Sequence, residues 1–384
     1  MCNSGVRLSR RGFLAGAAVL AGCAKKAKGF PGYAFVANPD GRSIAAVDLR
    51  GFTLLRQIPV DGGPRAVIAH PGRAAVFSLI PENGTVCEID AVSLSVKRRA
   101  RPVESAVSMR LAGDGRSLWV LGREPRVLVR VPLDSLRPAE RIHLPGDPGE
   151  FDLDRRPEGR MVAVSFPNER AVGLCDLGAK AMPATMPVGS QPRLAGFRSD
   201  GKQLLVASGS DRMMTILDVA TGGAVVKLPL AIEPANFCFS QDGGQLFVTG
   251  SGMDAVVIVE PFQTQVGETI LVGRTPANMA VSNAPLYLFV SSPGSGDVTV
   301  LDIETRKVVV VVHTGGEPRQ ILFTPDNQYA LVLNGGSGDL AVIRISAFTT
   351  GPQADWAQRH KLGGLFTMIP VGGRAVAAAV VGIG

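Results

Sequence analysis

The chain has 384 residues, of which 46% are apolar, 19% charged and only 5% aromatic, with a formal net charge of +7. Residues 1–28 hold Arg7, Arg10, Arg11, Lys25, Lys26 and Lys28 and no acid, so the rest of the chain carries only +1. A body so close to neutral and so poor in rings has neither the basic face nor the stacking platform that nucleic-acid binding requires, and that function is excluded.

At the N-terminus, Ser9-Arg10-Arg11-Gly12-Phe13-Leu14 precedes the apolar run Ala15 to Ala21. This order resembles a twin-arginine export signal, with Arg10 and Arg11 as its pair. The stretch Gly12 to Gly22 is too short to span a bilayer as a permanent helix. It ends in Leu20-Ala21-Gly22-Cys23, which resembles a bacterial lipobox and implies acylation of the Cys23 thiol and cleavage on its N-terminal side. The expected organisation is a signal peptide over 1–22, a lipid-anchored tether over 23–32 and one domain over 33–384. Such a lipoprotein is exported by the twin-arginine route and held on the periplasmic side of the cell envelope. Ala24 after the cysteine fits passage to an outer membrane, and the choice of membrane stays open. Cys2 leaves with the signal, and Cys87, Cys175 and Cys238 remain on strands of different repeats. Their spacing matches neither a disulfide framework nor a metal motif, so they read as small core residues.

From residue 33 onward the sequence repeats. Asp48, Asp90, Asp134, Asp176, Asp218, Glu260 and Asp302 stand at intervals of 42, 44, 42, 42, 42 and 42 residues, and Pro148, Pro192, Pro234, Pro276 and Pro318 keep the same step. A fixed period of this length marks one supersecondary unit copied many times. Within the unit from Pro276, four runs of about 5 to 7 residues rich in β-branched side chains are separated by Gly, Asn and Asp: Ala277–Ser282, Leu286–Ser291, Val298–Ile303 and Lys307–His313. Four antiparallel strands per repeat define a propeller blade. Asp114-Gly115, Glu158-Gly159, Asp200-Gly201, Asp242-Gly243 and Asp326-Asn327 fall between first and second strands, as hairpin turns require. The acidic ladder closes each third strand, where a carboxylate can accept N–H groups of the turn into the fourth. That role is structural, because a catalytic carboxylate would not recur in every blade.

First strands are expected near Arg65, Ala106, Gly149, Arg193, Ala235, Ala277, Arg319 and Arg374, and second strands near Tyr33, Ala74, Ser117, Arg160, Gln203, Gln245, Leu286 and Gln328. The two series are offset by one. The last strand therefore completes the N-terminal blade and closes the ring, which removes free sheet edges. The expected fold is an all-β, eight-bladed propeller of four-stranded antiparallel blades. Seven blades is the alternative if the unit from Ser105 to Pro145 is irregular.

Proline, an apolar strand, an Asp-Gly turn, a Val-rich strand, a Gly/Ser loop and a Val-x-Val-apolar-Asp segment, as in Val298 to Thr305, make up the repeat. It resembles the YVTN and YncE-like β-propeller repeat, most closely from Gln191 to Asn334. The resemblance implies the fold and is poor in function, since related propellers include lactonase-like and cytochrome d1-like enzymes.

Chemistry is sparse. His70, His143, His313 and His360 share no metal-ligand spacing, and no metal or cofactor signature is present. Gly209-Ser210, Gly250-Ser251-Gly252, Gly294-Ser295-Gly296 and Gly336-Ser337-Gly338 occupy one loop register and read as hairpins, not nucleophile elbows. Arg65, Arg193, Arg319 and Arg374 open first strands, with Glu150, Asn236, Asn278 and Gln320 one position further along the repeat. In a propeller these line the mouth of the central channel, where clustered guanidinium groups can bind a carboxylate, phosphate or acidic loop. Arg110, Arg155 and Arg198, at the other ends of first strands, read as solvated. A long segment, Ser346 to Gly364, carries Asp355, Trp356, Arg359, His360 and Lys361 and is a second recognition candidate.

The sequence thus reads as an exported, membrane-anchored, monomeric propeller that binds a small anionic ligand or an envelope protein, without cofactor or catalysis. The alternative is a lactonase-like or quinone- or haem-dependent enzyme working at the same mouth, with Glu150 as base.

Overall fold

The computed structural model describes residues 29–156, 158–348 and 364–383. They form eight four-stranded antiparallel sheets arranged as a closed β-propeller. Blade 1 pairs Gly32–Asn38, Ser43–Asp48 and Thr53–Pro59 with the C-terminal strand Ala377–Gly382, which is its inner strand. The inner and outer strands of the others are Ala66–Ala69 and Ser95–Ala100 (blade 2), Ser105–Leu111 and Arg141–His143 (blade 3), and Phe151–Leu153 and Thr185–Pro187 (blade 4). They continue with Pro192–Phe197 and Ala224–Pro229 (blade 5), and Glu233–Phe239 and Gln265–Leu271 (blade 6). Met279–Val281 and Val308–His313 (blade 7) and Pro318–Phe323 and Leu365–Pro370 (blade 8) complete the ring. The unit from Ser105 is a complete blade, so the count is eight. Arg10, Arg11 and Cys23 lie outside the described residues, as do Asp355, Trp356, Arg359, His360 and Lys361.

The second and third strands are covered on both faces, which is why they read as continuous apolar runs. The core lies between blades: Phe289 and Val300 of blade 7 pack with Ile321, Val332 and Ile343 of blade 8. Blade 8 in turn meets blade 1 through Leu331, Leu340, Val342, Ala34, Val36 and Val47. Each inner strand lies beside its neighbours around the axis, Ala377–Gly382 against both Ala66–Ala69 and Pro318–Phe323.

The turn chemistry follows the ladder, with two exceptions. Asp48 accepts from the Arg50 and Gly51 N–H groups, Asp90 from Val92 and Ser93, Asp176 from Gly178, Asp218 from Thr221 and Asp302 from Thr305. Glu260, one methylene longer, instead accepts from the side chains of Gln265 and Arg306. Asp134 pairs with Arg73 of the preceding blade. At the inner turns Gly115, Gly201, Gly243 and Asn327 adopt the expected positive φ of 67°, 66°, 72° and 54°. Blade 4 departs from the pattern, using Asp154, which accepts from Arg156, in place of Glu158.

These bonds have a pH signature. Turn N–H groups hold Asp90, Asp176 and Asp218 below the ordinary 3.8, and Gln265 followed by Arg306 holds Glu260 below 4.5. A carboxyl whose pKa is lowered on folding stabilises the fold above its ordinary value, and the contribution is lost as pH falls through the folded value. The urea midpoint is therefore expected to be flat from neutral pH down to 4.5 and to decline below 3.8. In Asp176→Asn the decline becomes shallower.

Ring closure uses six registered pairs, from Gly32↔Gly382 to Ala37↔Ala377. Gln320 of blade 8 adds a clamp: its Oε1 accepts from the Ala378 N–H at 2.7 Å and its Nε2 donates to the Ala378 carbonyl at 3.2 Å. Gln320→Leu leaves both main-chain groups without this partner and is expected to cost about 1–3 kcal/mol in urea unfolding.

Candidate functional site: the channel cavity

The inner strands place the sequence-predicted residues in three different settings. Arg65, Arg193, Arg319 and Arg374 are all exposed. Arg193 reaches Gln191 at 3.5 Å and Arg319 pairs with Glu317 at 3.1 Å, so two of the four are held by neighbours on their own strand entry. Asn278 exchanges hydrogen bonds with the Ser291 hydroxyl through its main chain. Gln320 belongs to the ring closure. Glu150 and Asn236, by contrast, line a cavity of about 740 Å³.

This cavity runs along the inner strands of blades 4, 5 and 6, with Arg110 from blade 3 and Met279 from blade 7 at its sides. Phe151, Phe237 and Phe239 supply aromatic wall. Phe237 and Phe239 meet edge to face at 5.9 Å. Gly196 makes room for them, because a Cβ at that position would stand 2.7 Å from the Phe237 ring. A glycine within a strand serves here for close approach.

Four arginines and three carboxylates face the same space, and their partners differ. Arg156 is clasped by Asp154 through Nε at 3.0 Å and Nη2 at 2.6 Å. Burial pushes the Asp154 carboxyl up, and the Arg156 hydrogen bonds outweigh it and hold the group below 3.8. Arg198, expected to be solvated, is buried: it binds Asp200 with two nitrogens, donates to Gln203 and lies 4.5 Å over the Phe262 ring. Those two arginines are committed to structure.

Arg110 and Arg155 are not. The Arg155 side chain is 82% exposed and, among the described residues, pairs with Asp152 at 3.4 Å. Asp152 is itself occupied, since its second oxygen accepts the Phe197 N–H at 3.2 Å. That bond satisfies an inner-strand donor, and an inner strand has a ladder partner on one side only. Arg110 lies 5.6 Å over Phe151, is 3.4 Å from Glu150 and donates to the Met109 carbonyl. Glu150 also accepts from Ser108 at 2.9 Å. The cavity therefore joins an aromatic wall to two guanidinium groups with donors to spare, the arrangement that holds a carboxylate attached to an apolar body.

Cys87 and Cys175 are core residues as expected, whereas Cys238 is half-buried on the cavity wall. Burial pushes all three thiols up to about 11. Alkylation of Cys87, Cys175 and Cys238 in the folded chain at pH 8 is expected to be about 100-fold slower than for an exposed cysteine, and peptide mass spectrometry of the labelled protein checks it. Among the described residues, no group of three or more His, Cys, Asp and Glu is arranged to hold a metal ion. His70 receives the Gly72 N–H and contacts the Gly115 carbonyl, and His313 contacts Asp297. None of the described histidines lines the cavity.

No protein-family model and no curated protein matches the chain. Solved structures do. A dihydro-haem d1 dehydrogenase NirN in complex with DHE superposes with a TM-score of 0.70 at 15% identity, over 90% of this chain and 74% of that one. Hydrazine synthase of Kuenenia stuttgartiensis gives 0.57 at 14% identity, over 73% and 96%. A functionally unknown protein from Desulfotomaculum acetoxidans gives 0.58 at 12% identity, over 91% and 98%. At these identities the likeness is one of fold alone.

Proposed function

We propose that the chain is an exported, lipid-anchored binding module whose propeller channel takes a small carboxylate ligand with an apolar or aromatic body. The observation that carries this reading is the pairing of Arg110 and Arg155 with Phe151, Phe237 and Phe239 around one cavity. The exposed arginines Arg65, Arg193, Arg319 and Arg374 serve as an outer attraction for the anion, and the cavity gives it a fixed seat. Anchoring through Cys23 after twin-arginine export places this seat in the cell envelope. A direct test uses the aromatic anion 1-anilinonaphthalene-8-sulfonate as probe. Its fluorescence should rise on wild-type protein and fall back on adding an aliphatic or aromatic carboxylic acid. Enhancement that survives Arg155→Ala unchanged would place the probe elsewhere.

The similarity to NirN favours a second reading, in which the bound carboxylate belongs to a tetrapyrrole. Arg110 and Arg155 fit such a group as anchors for its carboxylates, and Phe237 fits as a face to stack on. For the metal of such a group the cavity wall offers sulfur, from Cys238 and Met279, and no imidazole among the described residues. When bound, the tetrapyrrole would supply redox chemistry; the residues here bind and orient. The absorption spectrum of protein purified from its own host separates the readings, since only a tetrapyrrole gives an intense porphyrin-type band.

A further inference from the structure

Each outer strand of a propeller leaves one row of N–H and C=O groups unpaired, and proteins guard such edges with charge, proline or shortness. Blades 1 to 6 follow this rule. Arg56, Lys97 to Arg99, Arg141, Lys227 and Glu268 stand on the outer strands of blades 1, 2, 3, 5 and 6, and the blade 4 strand has three residues and ends in Pro187. The outer strands of blades 7 and 8, Val308–His313 and Leu365–Pro370, carry no Asp, Glu, Lys or Arg. Val308, Val309, Val311, Phe366 and Met368 are exposed on them, and Leu54 and Leu55 continue the apolar rim onto blade 1.

Leu365, which opens the blade 8 outer strand, packs in one apolar cluster with Val310 and Val312 of blade 7. Phe366 meets Phe52, in the turn that leads into the blade 1 outer strand, with ring centroids 5.1 Å apart. The same turn is where the chain enters the ring: Gly29 lies against the main chain of Leu49 and Arg50. Residues 23–28, which follow the cleavage site and begin with Cys23, therefore join the propeller beside this uncharged, apolar arc. Arg50 and Arg56 are exposed beside it, and Arg344 lies 4.5 Å over Phe366.

We infer that the rim formed by the outer strands of blades 7, 8 and 1 rests on the lipid bilayer interface, with the acyl anchor alongside it. Apolar side chains flanked by cations suit the headgroup boundary. The blades extend radially from the channel axis with their outer strands at the rim, so a propeller standing on that rim holds the axis parallel to the membrane. Both mouths of the channel then stay open to solvent, which a ligand-binding channel needs. The inference rests on the lipid-anchor reading of Cys23.

Hydrogen–deuterium exchange of the full chain tests it, with the protein isolated from its host membranes and reconstituted into phosphatidylethanolamine/phosphatidylglycerol vesicles. The reference is the unacylated Cys23→Ser chain in solution. Exchange of segments 308–313 and 365–370 should slow at least threefold on vesicles, while the outer strands of blades 2 and 3 exchange as in solution. Val309→Glu with Val311→Glu should abolish protection at 308–313 and leave the anchored protein on the vesicles. An acylated, vesicle-bound chain with no added protection at either segment overturns the inference and leaves the anchor reading intact. Protection that grows with protein concentration in the absence of vesicles assigns the rim to a second copy and also overturns it. A bare Cys23 by mass, with no vesicle binding, removes the anchor reading and the rim proposal together.

Discussion

A chain ending at Gly373 is expected not to hold a folded ring. The deletion removes the inner strand of blade 1, and with it the six registered pairs to Gly32–Asn38 and the buried side chains of Ala375, Ala378, Ala379 and Val381. It also strips Gln320 of its two main-chain partners and leaves the Gly32–Asn38 strand as an apolar free edge. At about 1 kcal/mol per hydrogen bond and about 2 kcal/mol for a buried valine, the loss is on the order of 5–10 kcal/mol, comparable with the whole margin of a typical domain. Size-exclusion chromatography and far-ultraviolet circular dichroism should show aggregation or an expanded chain. A synthetic peptide covering residues 374–384 should restore folding when added during refolding, because the strand pairs with one partner strand along a single edge. A truncated chain with wild-type urea stability would mean that closure is not what holds the ring.

The second large effect concerns binding. Arg110→Ala with Arg155→Ala removes the two guanidinium groups that have donors to spare. Charge-assisted hydrogen bonds contribute about 1.5–3 kcal/mol each, so affinity for a carboxylate ligand should fall by about 100-fold or more. Stability should change little, because Arg155 is exposed and Arg110 is half-exposed beside a Glu150 that keeps Ser108 as donor. Arg156→Ala should behave in the opposite way, destabilising the chain by stranding the buried Asp154 carboxylate. Arg73→Ala, which breaks an exposed pair with Asp134, should do neither and serves as the control.

The fold was legible because a propeller repeats its own punctuation. The acid at the end of each third strand, the Asp-Gly turns and the one-strand offset between the chain ends all express a local requirement that recurs in every blade, and the structure meets them nearly one for one. Exceptions arise where a side chain has another partner within reach. Glu260 is too long for the turn and takes Arg306, and Asp134 reaches across to Arg73.

The site was only half legible, since equal positions in the repeat do unequal work. Glu150 and Gln320 share a register, yet one meets Ser108 and Arg110 of the adjoining blade while the other grips the Ala378 main chain. Arg155 and Arg198 stand at similar strand ends, but only Arg198 has an Asp200 and a Phe262 to hold it. Such differences depend on what the adjoining blade presents, which periodicity does not encode. One signal was available: Phe237 and Phe239, two apart on an inner strand with Cys238 between them, mark a strand that turns an aromatic face to the adjoining blade.

The most direct measurement of the central claim is native mass spectrometry, with an absorption spectrum, of the protein extracted from its own membranes. The expected result is one small anionic molecule per chain on the wild type and a bare chain for the folded Arg110→Ala, Arg155→Ala variant. An adduct held equally by both, or a wild-type chain that carries nothing and binds no carboxylate on addition, would contradict a ligand seat in the channel.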